Sequence, residues 1–255
     1  MSGPGIRVQL TPAFLLHQRP FRDTSLIVEL YSRDFGRLTT FARGARGPGS
    51  RKRFAGLRPF QPLLVSWHGR GEAPQLIAAE PDGAPGALPA PLLLHGFYCN
   101  ELLLKLTPQH DPQPGIFQLY QAMLRTLAVT TRAEPALREF ERQLLELLGF
   151  GLELTLEADT GEPVVAERFY RYHPGNGVTG GRADEPMQEG MCFRGAVLLR
   201  LAAGEPVTDP GECRETRALM RMAIDHCLEG RPLRTRSVAR SMARVMAQSG
   251  RAAGG

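Results

Sequence analysis

From position 6 to 80 the apolar residues come in short runs separated by turn formers. Phe14-Leu15-Leu16 gives way to Arg19-Pro20, and the stretch from Ser25 to Tyr31 is rich in β-branched and aromatic side chains. Arg33-Asp34-Phe35-Gly36-Arg37 is a turn followed by Leu38-Thr39-Thr40-Phe41-Ala42, so Tyr31 to Phe41 predicts a hairpin with Gly36 where φ must be positive. Leu63-Leu64-Val65-Ser66-Trp67 and Gln75-Leu76-Ile77-Ala78-Ala79 flank His68-Gly69-Arg70-Gly71 as a second hairpin. Five short strands in this span predict a small, closed or nearly closed antiparallel barrel.

The period changes after Pro81-Asp82-Gly83-Ala84-Pro85-Gly86, which reads as a linker over 81–90. Helices are expected over Leu92 to Leu106, Ile116 to Ala128, Pro135 to Leu148 and Glu212 to Glu229. The third is the clearest. Leu137, Phe140, Leu144, Leu145 and Leu148 form its apolar stripe, proline lies near its start and Gly149 follows its end. Residues 158–211 are glycine-rich and irregular and predict loops with at most two short strands. The chain therefore divides at the sequence level into 1–80, a linker 81–90, and a mainly helical domain 91–255 carrying that insertion and a basic C-terminal tail. The fold class is α+β.

Composition removes several functions. The longest apolar stretches, such as Leu92-Leu93-Leu94, fall far short of the roughly 20 residues of a membrane span. Met1 to Arg7 shows no cationic region followed by an apolar run, so a cytoplasmic location and no membrane partner are expected. Cys99, Cys192, Cys213 and Cys227 are scattered and read as reduced thiols. The only lysines, Lys52 and Lys105, do not follow glycine, which excludes a Walker A phosphate loop. Gly-x-Ser-x-Gly is absent, and the six histidines form no metal-ligand spacing. Glu153 and Glu157 are spaced for one helical face, yet residues 35–71 hold no carboxylate with which to build a two-metal nuclease site. No catalytic residue, cofactor or metal is assigned.

Charge adds direction. Residues 1–80 carry 12 Lys and Arg against 5 Asp and Glu, residues 81–230 carry 13 against 21, and residues 231–255 carry 6 arginines with no acid. Basic ends suit a polyanion, and an acidic middle suits solvent or a protein partner. The densest cluster is Arg43, Arg46, Arg51, Lys52 and Arg53, five cations without an acid among eleven residues spaced by glycine and proline. On a barrel, such a loop follows successive phosphates. Arg19, Arg22 and Arg37 are further phosphate candidates, and Phe35, Phe41 and Trp67 are candidates for stacking on bases or, alternatively, for the barrel core.

Several segments, in order along nearly the whole chain, resemble the bacterial DNA repair and recombination mediator family RecO. They are Leu16 to Leu26, Phe35-Gly36-Arg37 with Ala42 to Arg46, Asn100-Glu101-Leu102-Leu103, Leu137 to Leu145 with Gly149-Phe150-Gly151, and Arg231 to Arg236. The resemblance implies an N-terminal OB-like barrel that binds and anneals single- and double-stranded DNA. It also implies a helical domain, partnership with single-stranded-DNA-binding protein and other recombination mediators, and nucleoid association during repair. Some family members carry a four-cysteine zinc site after the long helix; here Glu157 to Glu162 has no cysteine, so no structural zinc is expected. Arg138 and Arg142, beside Phe140, are candidates for receiving the acidic, apolar tail of single-stranded-DNA-binding protein, against the plainer reading of ion pairs along the helix. The alternative functions are an RNA-binding barrel and, more distantly, a metal-dependent nuclease.

Overall fold

The computed structural model describes residues 6–47, 50, 52–69, 71, 73–83, 87–181 and 192–252, without the side chains of 6 and 247–252. Two compact units emerge: residues 1–129 with 233–255, and residues 130–232. The linker at 81–90 therefore lies within the first unit, and the last helix belongs to that unit and not to the helices that precede it.

In the first unit, β1 (Ile6–Phe21), β2 (Ser25–Ser32), β3 (Gly36–Ala42), β4 (Pro62–Gly69) and β5 (Gln75–Pro81) close into a barrel of order β1-β2-β3-β5-β4. All neighbours are antiparallel except β3 and β5, whose short parallel pairing closes the ring. Alternation places Val28, Leu30, Leu38, Leu63, Val65 and Leu76 inside. The β2–β3 hairpin turns where expected: Gly36 pairs with Ser32 and has φ +66°. A side chain there would also collide with the backbone of Asp111, so glycine is required twice over.

Strand β1 bulges between Leu15 and His17. The bulge leaves carbonyls without ladder partners. Asn100, on α1 (Leu93–Leu106), supplies the missing donor: its Nδ2 donates to the Leu16 carbonyl at 3.0 Å. Tyr120, on α2 (Pro114–Val129), donates its hydroxyl to Asn100 Oδ1, and Phe14 packs on Phe117 and Tyr120. Burial pushes the Tyr120 hydroxyl well above its usual range, which keeps it a donor.

The next residue on α1 performs a second task. Residues 231–255, expected as a basic tail, contain α6 (Arg234–Ala252), and its first turn is capped by Glu101. The carboxylate accepts from the backbone N–H of Arg234 at 2.8 Å and of Thr235 at 2.9 Å, and from the Thr235 hydroxyl at 2.7 Å. Leu233 is buried just before the helix begins. Burial alone would raise the Glu101 carboxyl; the hydrogen bonds from Thr235 and Arg234, with Lys105 nearby, outweigh it and hold the carboxyl below its ordinary value.

In the second unit, α3 (Ala133–Leu147) ends at Gly149, φ +83°. The Gly149 N–H donates to the Glu146 carbonyl and the Phe150 N–H to that of Leu145, the Schellman pattern anticipated by the glycine. Helix α5 (Pro210–Cys227) is capped by Asp209, which accepts from the N–H groups of Gly211 and Glu212. The described residues of the stretch 158–211 hold more regular structure than its composition suggests. Strands β6 (Phe169–His173), β7 (Gly177–Gly180) and β8 (Cys192–Arg194) form a sheet of order β7-β6-β8, and α4 (Gly195–Ala202) buries Val197, Leu198 and Leu201. Glu153 and Glu157 lie in no helix; Glu153 accepts from the backbone and hydroxyl of Thr155. No helix among the described residues is long and apolar enough to cross a membrane.

Because Glu101 is held ionised, its contribution is present above the ordinary carboxylate pKa and is lost as pH falls through the depressed folded-state value. Glu101→Ala is expected to reduce the unfolding free energy by about 1–3 kcal/mol at neutral pH. In denaturant titrations, the gap to wild type should close on acidification.

Candidate nucleic-acid interface

The connection between β3 and β4, residues 43–61, is not an open loop. Its described residues form turns fastened to the barrel at three places. The Arg46 N–H donates to the Thr24 carbonyl at 2.8 Å, the Ala79 N–H to the Arg53 carbonyl at 2.7 Å, and the Gly56 N–H to the Ala79 carbonyl at 2.9 Å. Phe54 and Leu57 insert into the barrel core, and Ser50 is buried. With the backbone and apolar side chains turned inward, Arg43, Arg46, Lys52 and Arg53 are left exposed. Arg51 lies outside the described residues.

The bond to Thr24 sets this basic connection beside the β1–β2 turn, where Arg22 is exposed with φ +53°. The Arg22 guanidinium lies 5.3 Å from the centroid of Phe21, and Phe21 meets Phe41 edge-on at 5.0 Å. The fold thus joins Arg22, Phe41 and the 43–53 cations, and adds Phe21, which the sequence reading passed over because it sits next to a proline at a strand end. Arg19 is exposed on the same strand, β1.

Other candidates are placed differently. Trp67 is a core residue at 5% exposure, with Phe35 against it edge-on at 5.0 Å. Its inward position follows from strand alternation with Leu63 and Val65, so the stacking role is corrected to a packing role. Phe35 keeps 37% of its surface exposed at the hairpin tip. Arg37 is committed to the fold: its Nε donates to the Thr107 carbonyl at 3.0 Å, and Glu29 lies 3.7 Å from its Nη1. That position removes it from the phosphate candidates.

In the second unit, Phe140 is 2% exposed and belongs to the core, so it cannot face a partner. Arg142 is held between Glu139 at 2.8 Å and Glu146 at 3.0 Å, which leaves no cationic surplus there. Its hydrogen bond to Glu139 raises its pKa further. Arg138 differs. Its Nη1 pairs with Glu141 at 2.9 Å while its buried Nε has no hydrogen-bond partner among the described residues. It lines a cleft of about 180 Å³ with Pro135, Leu201, Pro206 and Val207.

Charge separates between the units. The first carries 19 Lys and Arg against 8 Asp and Glu, net +11; the second carries 12 against 18, net −6. Among the described residues, no three His, Cys, Asp or Glu side chains converge on a metal position.

The N-terminal domain family of Recombination protein O matches residues 7–81, and its C-terminal domain family matches residues 91–237. The chain belongs to the RecO family. It is 48% identical over 245 residues to the DNA repair protein RecO of Alkalilimnicola ehrlichii, covering 96% of this chain and 95% of that protein. Identity is 43% over 241 residues to the protein of the same name from Methylococcus capsulatus, covering 94% and 96%. It is 41% over 232 residues to that of Coxiella burnetii, covering 91% and 98%. Membership of RecO supports a role in DNA repair and recombination, and the basic barrel is the part whose charge suits DNA.

Core and interface roles make different demands on Trp67. Trp67→Ala is expected to lower stability by about 3–5 kcal/mol through the cavity it leaves in the barrel. Equilibrium unfolding in denaturant should show a lower midpoint.

Proposed function

We propose that the chain is a non-enzymatic DNA-binding protein of recombinational repair. In this reading it anneals strands and helps load recombinase onto single strands covered by single-stranded-DNA-binding protein. The observation that carries the reading is the fastened basic connection, whose buried anchors hold Arg43, Arg46, Lys52 and Arg53 outward beside Arg22. A pre-formed array of cations binds phosphates without first losing the conformational entropy of a free loop. Arginine adds paired hydrogen bonds to each phosphate. Phe21 and Phe41, in contact with each other beside the β1–β2 turn, offer apolar surface next to these cations for unstacked bases, while Phe35 lies at the opposite end of β2.

Annealing needs no catalytic group. Base pairing is the strands' own chemistry, and the obstacle is repulsion between two phosphate backbones. Neutralising one backbone releases its counterions and lowers that repulsion for the incoming strand. The acidic second unit, net −6, disfavours DNA and leaves its surface to a protein partner. There, the cleft beside Arg138 offers Pro135, Leu201, Pro206 and Val207 to the apolar side chain of a short peptide, and the Arg138 guanidinium, the one cation in a lining that also holds Glu134, Glu139 and Glu205, attracts its carboxylate. The tail of single-stranded-DNA-binding protein has that chemistry.

Replacing Arg46, Arg51, Lys52 and Arg53 together with glutamine is expected to weaken single-strand binding. It should also lower the log-log salt slope by up to about 3, at about 0.7 per phosphate contact. A titration of labelled single strands across a salt series measures this, and an unchanged slope rejects the array. Separately, Arg138→Glu is expected to weaken binding of a labelled acidic tail peptide by at least about tenfold, about 1.4 kcal/mol. Fluorescence anisotropy with the peptide and with DNA on the same variant tests it, because DNA affinity should stay within about twofold.

A further inference from the structure

Helix α6 is long and two-faced, and its side chains from 237 to 246 are exposed. Its apolar side chains Val238, Met242, Val245 and Met246 recur at helical spacing and are 48%, 53%, 60% and 72% exposed. On the opposite side Arg236, Arg240 and Arg244 form a row at four-residue intervals, and Arg240 and Arg244 are exposed. From Arg234 to Ala252 there is no acidic residue. Arg236 lies over the ring of Tyr98 at 5.9 Å, which fixes the start of the row to α1.

We propose that the arginine row of α6 is a second DNA phosphate contact of the basic unit, apart from the β3–β4 connection. The proposal rests on the DNA-binding reading given above. Three physical features support it. Like charges four residues apart destabilise a helix by about 0.2–0.5 kcal/mol per pair, and a bound polyanion turns that cost into attraction. Cations in the first turn of a helix also oppose its dipole, so Arg234 and Arg236 are poorly placed for helix stability alone. Among the described residues Glu101 is occupied by the first turn of α6, and no ion pair involves Arg240 or Arg244. Charge complementarity therefore selects a polyanion.

The apolar face competes as an explanation through a second copy of the chain. Four side chains on one helix fall well short of the roughly 800 Å² per partner of a stable interface, whereas each arginine contact with DNA acts by itself.

Arg240→Gln/Arg244→Gln in the full chain removes two charges while keeping residues that favour helix about equally. Binding to labelled duplex across a salt series should show the log-log slope reduced by about 2, at about 0.9 per contact, and affinity at physiological salt reduced by roughly tenfold. Val238→Gln/Met242→Gln keeps the charges and should bind duplex as wild type does. A double-arginine variant with the wild-type slope overturns the proposal, provided the β3–β4 variant loses its share. Loss of binding in the apolar variant alone also overturns it and assigns α6 to a protein partner or a second copy. If wild type shows no salt-dependent DNA binding, the DNA-binding reading falls first and this proposal with it.

Discussion

One side-chain amide holds the first unit together. The bulge at Leu16 lets β1 bend around the barrel, but it strands backbone carbonyls where water has no access, and such groups cost free energy unless a donor reaches them. Asn100 is that donor, and its own oxygen is satisfied by Tyr120. Strand β1, α1 and α2 are thereby joined through a single carboxamide with Phe14 packed beside it. Glu101, one residue further on, faces another direction and holds α6. Two consecutive polar residues in the middle of α1 thus specify its neighbours on two sides.

The basic surface depends on this frame. A cation array is useful only where its backbone is held, and every fastening of the 43–61 connection is to β5, to the β1–β2 turn or to the barrel core. The polar groups facing DNA are thus organised by apolar residues that never meet it. Phe54 and Leu57 are as much a part of the interface as Arg46 or Lys52, because without them the same charges would sit on a mobile chain.

Much of this was legible in the residue order. The hairpin at Gly36, the barrel and four helices follow from period, turn chemistry and caps, each local signal agreeing with the tertiary result. Helix α4 and strands β6 to β8 were not legible, since a helix of 8 residues and strands of 5, 4 and 3 hold too few positions to establish their periods, and the glycines around them read as breakers. Helix α6 was missed for a different reason: its apolar stripe faces solvent and its mean character is that of a charged tail. Trp67, Phe140 and Arg37 show the limit of residue type as a guide to a site. An aromatic or an arginine has the same letter inside or outside, and only strand parity or a partner 70 positions away, as with Arg37 and Thr107, settles which it is.

The chain leaves the first unit at Val129 and returns to it at Leu233, so the second unit is, in connectivity, an insertion. Synthesis proceeds from the N-terminus, and the barrel with its first two helices emerges well before the residues that Glu101 must bind. Throughout that interval the carboxylate lacks the N–H groups of Arg234 and Thr235. The first unit therefore closes only after the inserted one has been made, when Leu233 and the first turn of α6 reach Glu101. A chain cut short anywhere in the inserted unit would hold all five barrel strands yet lack the backbone groups that Glu101 binds, so the order of the sequence alone makes the cap on α6 the last of the first unit's contacts to become available.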